Sequence, residues 1–282
     1  MIEKTGLVLE GGGFRGIYSA GILDYFLERD IRFPYVIGVS MGACNGTNYV
    51  SKQVGRNLRV PYNYINDRRY ISFYNLIFKG GLFGMDFVFG EIPRKLDVFD
   101  WKTYEESDQR FIVVATDCRT GKPEYFEKGK MDDLLEVLKA SSSLPFISDM
   151  ITINGKSYLD GGMSDSIPVR KALEDGNEKL VVILTRPEGY EKKPSSMGFL
   201  TRIKYGKYPE LINCIENRYR EYNETLDYVK RLESEGKAFV IRPVESLDMG
   251  RVERNRDKLK ATYYLGYRDA EAIEDELLEF LR

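Results

Sequence analysis

Ser40 stands in the pentapeptide Gly38-Val39-Ser40-Met41-Gly42, where an apolar stretch, Tyr35–Val39, gives way to a helix-like one reaching about Ser51. A serine in such a G-x-S-x-G elbow sits on a tight, strained turn that lifts its hydroxyl clear of the sheet, as a nucleophile requires. Gly38 and Gly42 matter because side chains there would clash where strand and helix pass closely. The first amides of the following helix point toward the serine. The simpler reading of the same residues is a glycine-rich turn with a capping serine. The sequence contains no histidine. That excludes a Ser-His-Asp triad, a Cys-His dyad and HExxH zinc chemistry in one step. A hydrolase built on Ser40 must pass its proton to a carboxylate, a lysine, a tyrosine or a metal-bound water. Cys44, four residues on, lacks a histidine to activate it.

Gly11-Gly12-Gly13-Phe14-Arg15-Gly16 directly follows the first apolar run, residues 6–10. Consecutive glycines let backbone N–H donors approach a developing oxyanion unobstructed. The same residues also fit GxGxxG, with Glu28 or Asp30 at the spacing of a ribose-binding acid, so a nucleotide-binding loop is the competing reading. That reading leaves the serine elbow at the next turn unexplained. Asp160-Gly161-Gly162 follows the apolar SYL of a hairpin strand. With histidine missing, Asp160 is a candidate to accept the serine proton. An aspartate of ordinary pKa, about 3.9, is a poor base, so it needs close geometry and help from oxyanion donors. An Asp-Gly turn with no chemical role would read the same way.

These residues need elements to hold them. Residues 17–28 place Ile17, Ala20, Ile22, Leu23, Phe26 and Leu27 near one helical face. The chain therefore opens strand, glycine turn, helix, strand, glycine turn, helix, an alternation that predicts a parallel, doubly wound sheet. Residues 111–116 read as a strand, followed by a hairpin turning near Gly121 and Lys122. Residues 131–142 read as a helix, 151–159 as a hairpin around Asn154 and Gly155, 167–175 as a short helix and 180–185 as a buried strand. A long polar helix over 209–235, a strand over 238–243 and one or two helices over 254–282 complete the pattern. The aromatic-rich stretch 52–109 shows no clear period. Its segment 70–89 could line an acyl groove or form a lid, but core packing is favoured because aromatics are usually buried.

The chain has 282 residues and a net charge of −2, so no global basic field draws nucleic acid, and no nucleic-acid partner is expected. Lys52, Arg56, Arg59, Arg68 and Arg69, and the basic residues of 202–207, read as solvated faces in preference to lipid-headgroup contacts. Three scattered cysteines form neither a disulfide framework nor a metal motif and point to a reducing compartment. No signal peptide or membrane span is legible. The expectation is a soluble cytoplasmic protein, with transient contact at a membrane surface left open.

Together, GGGFRG, GVSMG, ASSSLP (Ala140 to Pro145) and DGG, in this order, resemble the patatin-like phospholipase family over about Thr5 to Thr185. The resemblance implies a three-layer α/β/α fold with a mainly parallel central sheet. It implies a serine lipid acyl hydrolase, a lipase, esterase or phospholipase A, working on lipid or other acyl esters without cofactor or metal. It makes Ser40 the nucleophile and Asp160 its base. The oxyanion loop comprises Gly11, Gly12, Gly13, Arg15 and Gly16, with Arg15 in support. Gly38 and Gly42 frame the elbow, and Gly161 and Gly162 complete the DGG motif. Asp165 stands where many relatives have asparagine and receives no role. Residues 1–190 are expected to form the catalytic domain, and 191–282 a mainly helical extension packed on it. A dormant lipid-binding protein is a further alternative.

Overall fold

The computed structural model describes residues 4–72, 81–250 and 252–282. The apolar runs become strands of one eight-stranded sheet. In chain order these are β1 (Thr5–Leu9), β2 (Tyr35–Val39), β3 (Arg110–Asp117), β4 (Pro123–Glu127), β5 (Ile151–Ile153), β6 (Lys156–Asp160), β7 (Lys179–Ile183) and β8 (Ala238–Ile241). Hydrogen-bonded pairing runs β5-β6-β3-β2-β1-β7-β8, with β2 and β6 sharing one edge of β3 and β4 on the other. β3, β2, β1, β7 and β8 run parallel, while β4, β5 and β6 join antiparallel. The central strands are apolar throughout because both faces are covered. Their period-two alternation divides the core. Leu7, Leu9, Val36, Phe111, Val113, Val181 and Ile183 face one helical layer, and Val8, Ile37, Val39, Ile112, Val114, Leu180 and Val182 the other. The architecture is the expected three-layer α/β/α arrangement.

The helices are α1 (Ile17–Glu28), α2 (Met41–Val50), α3 (Arg56–Tyr64), α4 (Trp101–Glu106), α5 (Leu134–Ser141), α6 (Val169–Glu174), α7 (Gly198–Tyr205), α8 (Pro209–Ser234), α9 (Arg256–Ala272) and α10 (Glu274–Leu281). α5 begins three residues later than its apolar pattern, because Asp133 caps it by accepting from the Leu135 and Glu136 amides. The stretch 52–109 holds α3, α4 and a π-helical segment, Phe87–Leu96. Pro61 and Pro93 lie inside two of these, and an internal proline removes the regular ladder whose period a sequence reading relies on. α7 was not legible.

α1 is buried from Ile17 through Phe26, on more than the one face its pattern marks. The second cover is α9. A Cβ on Gly21 would lie 2.0 Å from the Tyr263 carbonyl oxygen, and one on Gly266 2.0 Å from that of Tyr18. The backbones touch because neither residue has a side chain. Polar residues then pair across the contact, Tyr263 Oη donating to Asp24 at 2.6 Å and Tyr18 Oη to Asp269 at 2.7 Å.

Candidate functional site

Ser40 lies where β2 leaves the sheet and α2 begins, with φ +55° and ψ −124°. A non-glycine residue at positive φ is strained, and here the strain turns the chain sharply at the serine. A Cβ on Gly38 would fall 2.7 Å from the Ala43 nitrogen, and one on Gly42 2.6 Å from the Leu9 carbonyl oxygen. Glycine is required at both by close approach. The Cys44 amide donates to the Ser40 carbonyl at 3.1 Å, closing the first turn of α2. Ser40 is 7% exposed.

The loop after β1 passes beside the elbow. A Cβ on Gly12 would meet Thr185 Oγ1 at 2.8 Å, and Gly13 has φ +57°. Gly12, Gly13 and the buried Arg15 share a chamber with Ser40. The Gly11 N–H donates to the Ser166 carbonyl at 3.3 Å, so it has no second proton for an oxyanion. Gly16 packs against Met41, and its carbonyl accepts from Asn45 Nδ2 at 2.7 Å. The competing ribose acids are engaged elsewhere: Glu28 accepts from Tyr267, and Asp30 pairs with Arg32 at 2.7 Å.

Asp160 reaches the site through strand register. Along one edge of β3, Val39 of β2 pairs with Val114, and Asp160 of β6 pairs with the next residue, Ala115. The opposite edge is taken by β4, with Tyr125 beside Val114 and Glu124 beside Ala115. β6 therefore continues the edge that β2 abandons at Ser40. Asp160 is 2% exposed, and its Oδ1 accepts from the Gly162 N–H at 2.8 Å. Its amide donates to the Ser143 carbonyl at 2.8 Å, and Thr116 Oγ1 donates to its carbonyl at 2.9 Å. A Cβ on Gly161 would lie 2.2 Å from the Val114 carbonyl oxygen, so this turn must be glycine to pass beneath the strand.

Three supporting residues were not individually singled out in the sequence. Ser141 Oγ accepts from the Ser40 amide at 2.8 Å and donates to the Val114 carbonyl at 2.6 Å. Ser143 holds Asp160 as described. The ASSSLP run signalled this region without saying which serine mattered. Glu10 is 1% exposed and accepts from Thr185 Oγ1 at 3.0 Å and from Tyr222 Oη at 2.6 Å, tying β1 and β7 to α8. Its signal was a charged residue closing an apolar strand just before the glycines.

Ser40 lines two cavities. One, of about 150 Å³, is apolar, walled by Phe14, Tyr70, Phe83, Phe89, Leu138 and Leu144 among others. Its walls are mainly apolar, and Asn45, Asn48, Arg56 and Asn57 also reach it. The π-helical segment contributes Val88, Phe89, Ile92 and Pro93 to its wall. Within the segment 70–89, described residues both pack in the core and line this cavity; residues 73–80 lie outside the described residues. The second cavity, about 370 Å³, is polar and holds Asp160 with the glycine loop.

Of the other candidates, Cys44 and Arg56 line the first cavity with Ser40, whereas Asp165 lies apart. Asp165 lines a different pocket, where it accepts from Tyr125 Oη at 2.9 Å and burial pushes its carboxyl up to about 6. Burial pushes the Cys44 thiol up to about 11, against thiolate formation. Arg56 and Arg59 are tied to Asp97, and Arg69 to Asp67 and Glu91. Among the described residues no helix is long and apolar enough to cross a membrane.

The chain is 28% identical over 274 residues to the uncharacterized protein YjjU of Escherichia coli K12, covering 93% of this chain and 75% of that one. It is 22% identical over 259 residues to lysophospholipase NTE1 of Meyerozyma guilliermondii, covering 88% of this chain but 17% of that protein. It is 25% identical over 189 residues to the probable lipid hydrolase 463L of Invertebrate iridescent virus 6, covering 61% of this chain and 64% of the viral one. Among solved structures, VipD from Legionella pneumophila aligns with a TM-score of 0.48 at 13% identity, over 97% of this chain and 67% of that one. Residues 208–282 match a domain of unknown function. Residues 7–173, which carry the serine elbow, the glycine loop and the DGG turn, match the patatin-like phospholipase model, and the chain belongs to that family.

Proposed function

We propose that this protein is a serine acyl hydrolase that cleaves acyl esters of lipids through a Ser40–Asp160 dyad. The observation that carries the reading is the position of Ser40, which borders both an apolar cavity and the polar chamber containing Asp160. An ester whose acyl chain lies in the apolar cavity presents its carbonyl to the serine hydroxyl. Ser40 Oγ attacks the carbonyl carbon as Asp160 takes its proton. The amides of Gly12 and Gly13 hold the oxyanion, with Arg15 supporting their loop. The intermediate collapses, and Asp160 returns the proton to the leaving alcohol. Water then enters the acyl-enzyme by the same route. The names of the yeast lysophospholipase and the viral lipid hydrolase support a lipid ester as substrate.

The chain divides in this reading into a catalytic part, 1–190, and a mainly helical extension, 191–282. Work in the cytoplasm fits three unpaired thiols, Cys44, Cys118 and Cys214. Transient membrane contact fits the exposed Phe199, Leu200 and Ile203 on α7, beside the exposed Lys204.

The test is fluorophosphonate labelling followed by peptide mapping. The adduct is expected on Ser40 and is lost in Ser40→Ala. Wild-type protein that hydrolyses a p-nitrophenyl ester without labelling at Ser40 overturns the nucleophile. Folded protein that neither labels nor hydrolyses overturns the hydrolase.

A further inference from the structure

The polar chamber carries more positive charge than ester cleavage uses. Arg15, Arg186, Lys192, Lys193 and Arg218 line it, against the carboxylates of Glu10, Asp160 and Glu191. Glu10 is already satisfied by Thr185 and Tyr222, and Asp160 Oδ1 by the Gly162 amide. Backbone amides suffice for an oxyanion, and a neutral alcohol leaving group gains little from a cluster of cations.

Three of these cations, Arg186, Lys192 and Arg218, are also held in place. Four of the five lie beyond residue 173, outside the patatin-matched stretch, and Arg218 belongs to the region of unknown function. Arg186, Lys192 and Lys193 sit on the connection between β7 and α7. Asn223 of α8 clamps that connection, its Oδ1 accepting from the Lys192 amide at 2.8 Å and its Nδ2 donating to the Lys192 carbonyl at 3.0 Å. The Lys192 ammonium lies 4.0 Å from the Tyr222 ring centroid, and the Arg186 guanidinium 4.4 Å from that of Tyr190. Arg218 Nε donates to the Gly162 carbonyl, linking α8 to the DGG turn. Long side chains held this way lose less freedom when they engage an anion.

We propose that this chamber is a phosphate subsite, which receives the phosphate ester carried on the leaving half of the substrate. Guanidinium and ammonium groups around one cavity match the several oxygens of a phosphate, which a guanidinium can engage bidentately. The C-terminal region then does a specific job: it walls the chamber and sets which leaving group is favoured. The substrate's orientation rests on the hydrolase reading above; phosphate binding does not.

The experiment titrates sn-glycerol 3-phosphate, inorganic phosphate and glycerol calorimetrically into the full chain and into an Arg186→Gln/Lys193→Gln variant. The phosphate ester is expected to bind the wild type and to bind the variant at least tenfold more weakly, with glycerol binding neither. Absence of binding to the wild type, or equal binding to the variant, overturns the subsite. Inorganic phosphate bound as tightly as the ester overturns its assignment to a lipid headgroup. In turnover, the ratio of kcat/KM for a lysophospholipid to that for a neutral monoacylglycerol is expected to fall about tenfold in the variant, and an unchanged ratio overturns the proposal. Wild-type protein that binds glycerol phosphate but hydrolyses no ester removes the hydrolase reading and leaves the subsite standing.

Discussion

The Ser40 amide donates to the Ser141 hydroxyl at 2.8 Å, and that hydroxyl donates onward to the Val114 carbonyl at 2.6 Å. One side chain thus does what the sheet ladder does up to Val39, at the residue where β2 turns away. Both backbone groups are buried, so neither can turn to water.

Ser141→Ala is expected to destabilise the fold by about 1–3 kcal/mol, because it orphans a buried amide and leaves a carbonyl short of a donor. The elbow should loosen at the same time, lowering kcat with little change in KM. Urea unfolding and steady-state ester hydrolysis check both. A variant with wild-type stability and kcat would mean the hydroxyl holds nothing that matters.

Asp160→Asn keeps an oxygen that can accept from Gly162 but removes the proton acceptor. Turnover of a p-nitrophenyl ester is expected to fall by about 10²–10⁴-fold, the range for loss of a general base, with Tm little changed. Full turnover in the folded variant would assign the proton to another group.

Gly266→Ala separates two opposing effects. Alanine should favour helix α9 by about 1 kcal/mol over glycine. The added methyl, however, would sit 2.0 Å from the Tyr18 carbonyl oxygen. A backbone atom cannot swing aside, and overpacking of this kind costs roughly 1–3 kcal/mol or more. The clash should win, giving a Tm lower by several degrees. A raised Tm would contradict the contact between α1 and α9.

Asp24 is 1% exposed, and burial pushes its carboxyl up to about 6, although Tyr263 and the Gly55 amide donate to it. The folded state therefore holds this proton more tightly than the unfolded chain does. Its contribution is greatest below the ordinary aspartate range and is lost as pH rises toward and through 6, by up to about 3 kcal/mol. Asp24→Asn removes the linkage. The stability of the variant relative to wild type should rise between pH 4 and pH 7, as measured by urea unfolding at several pH values. Parallel pH profiles would show that Asp24 does not titrate in this window.

Much of this was legible locally. The run from residue 5 to 50 predicts strand, turn, helix, strand, turn and helix, and α1 and β2 have the expected bounds. Asn154 and Gly155 turn the second hairpin, both at positive φ. The stretch 52–109 was not legible, because internal prolines and a π-helical segment erase the 3.6-residue period. α1 was read as one-sided because its second partner, α9, arrives more than two hundred residues later.

By itself, the sequence determined which chemistry was open. With no histidine, a serine on an elbow and an aspartate before two glycines, a carboxylate is the natural proton acceptor. These are properties of residue type and short spacing, which neighbours in the chain can encode. Only the tertiary structure decided that β6 takes over the edge of β3 one residue beyond Val39, bringing Asp160 to the region of Ser40. Only it decided that α8 and the connection to α7 wall the polar chamber. Those placements depend on strand register and on contacts between residues far apart in the chain, such as Val39 with Val114 and Arg218 with Gly162. Register is selected by burying one set of alternating side chains against helices that no local window contains.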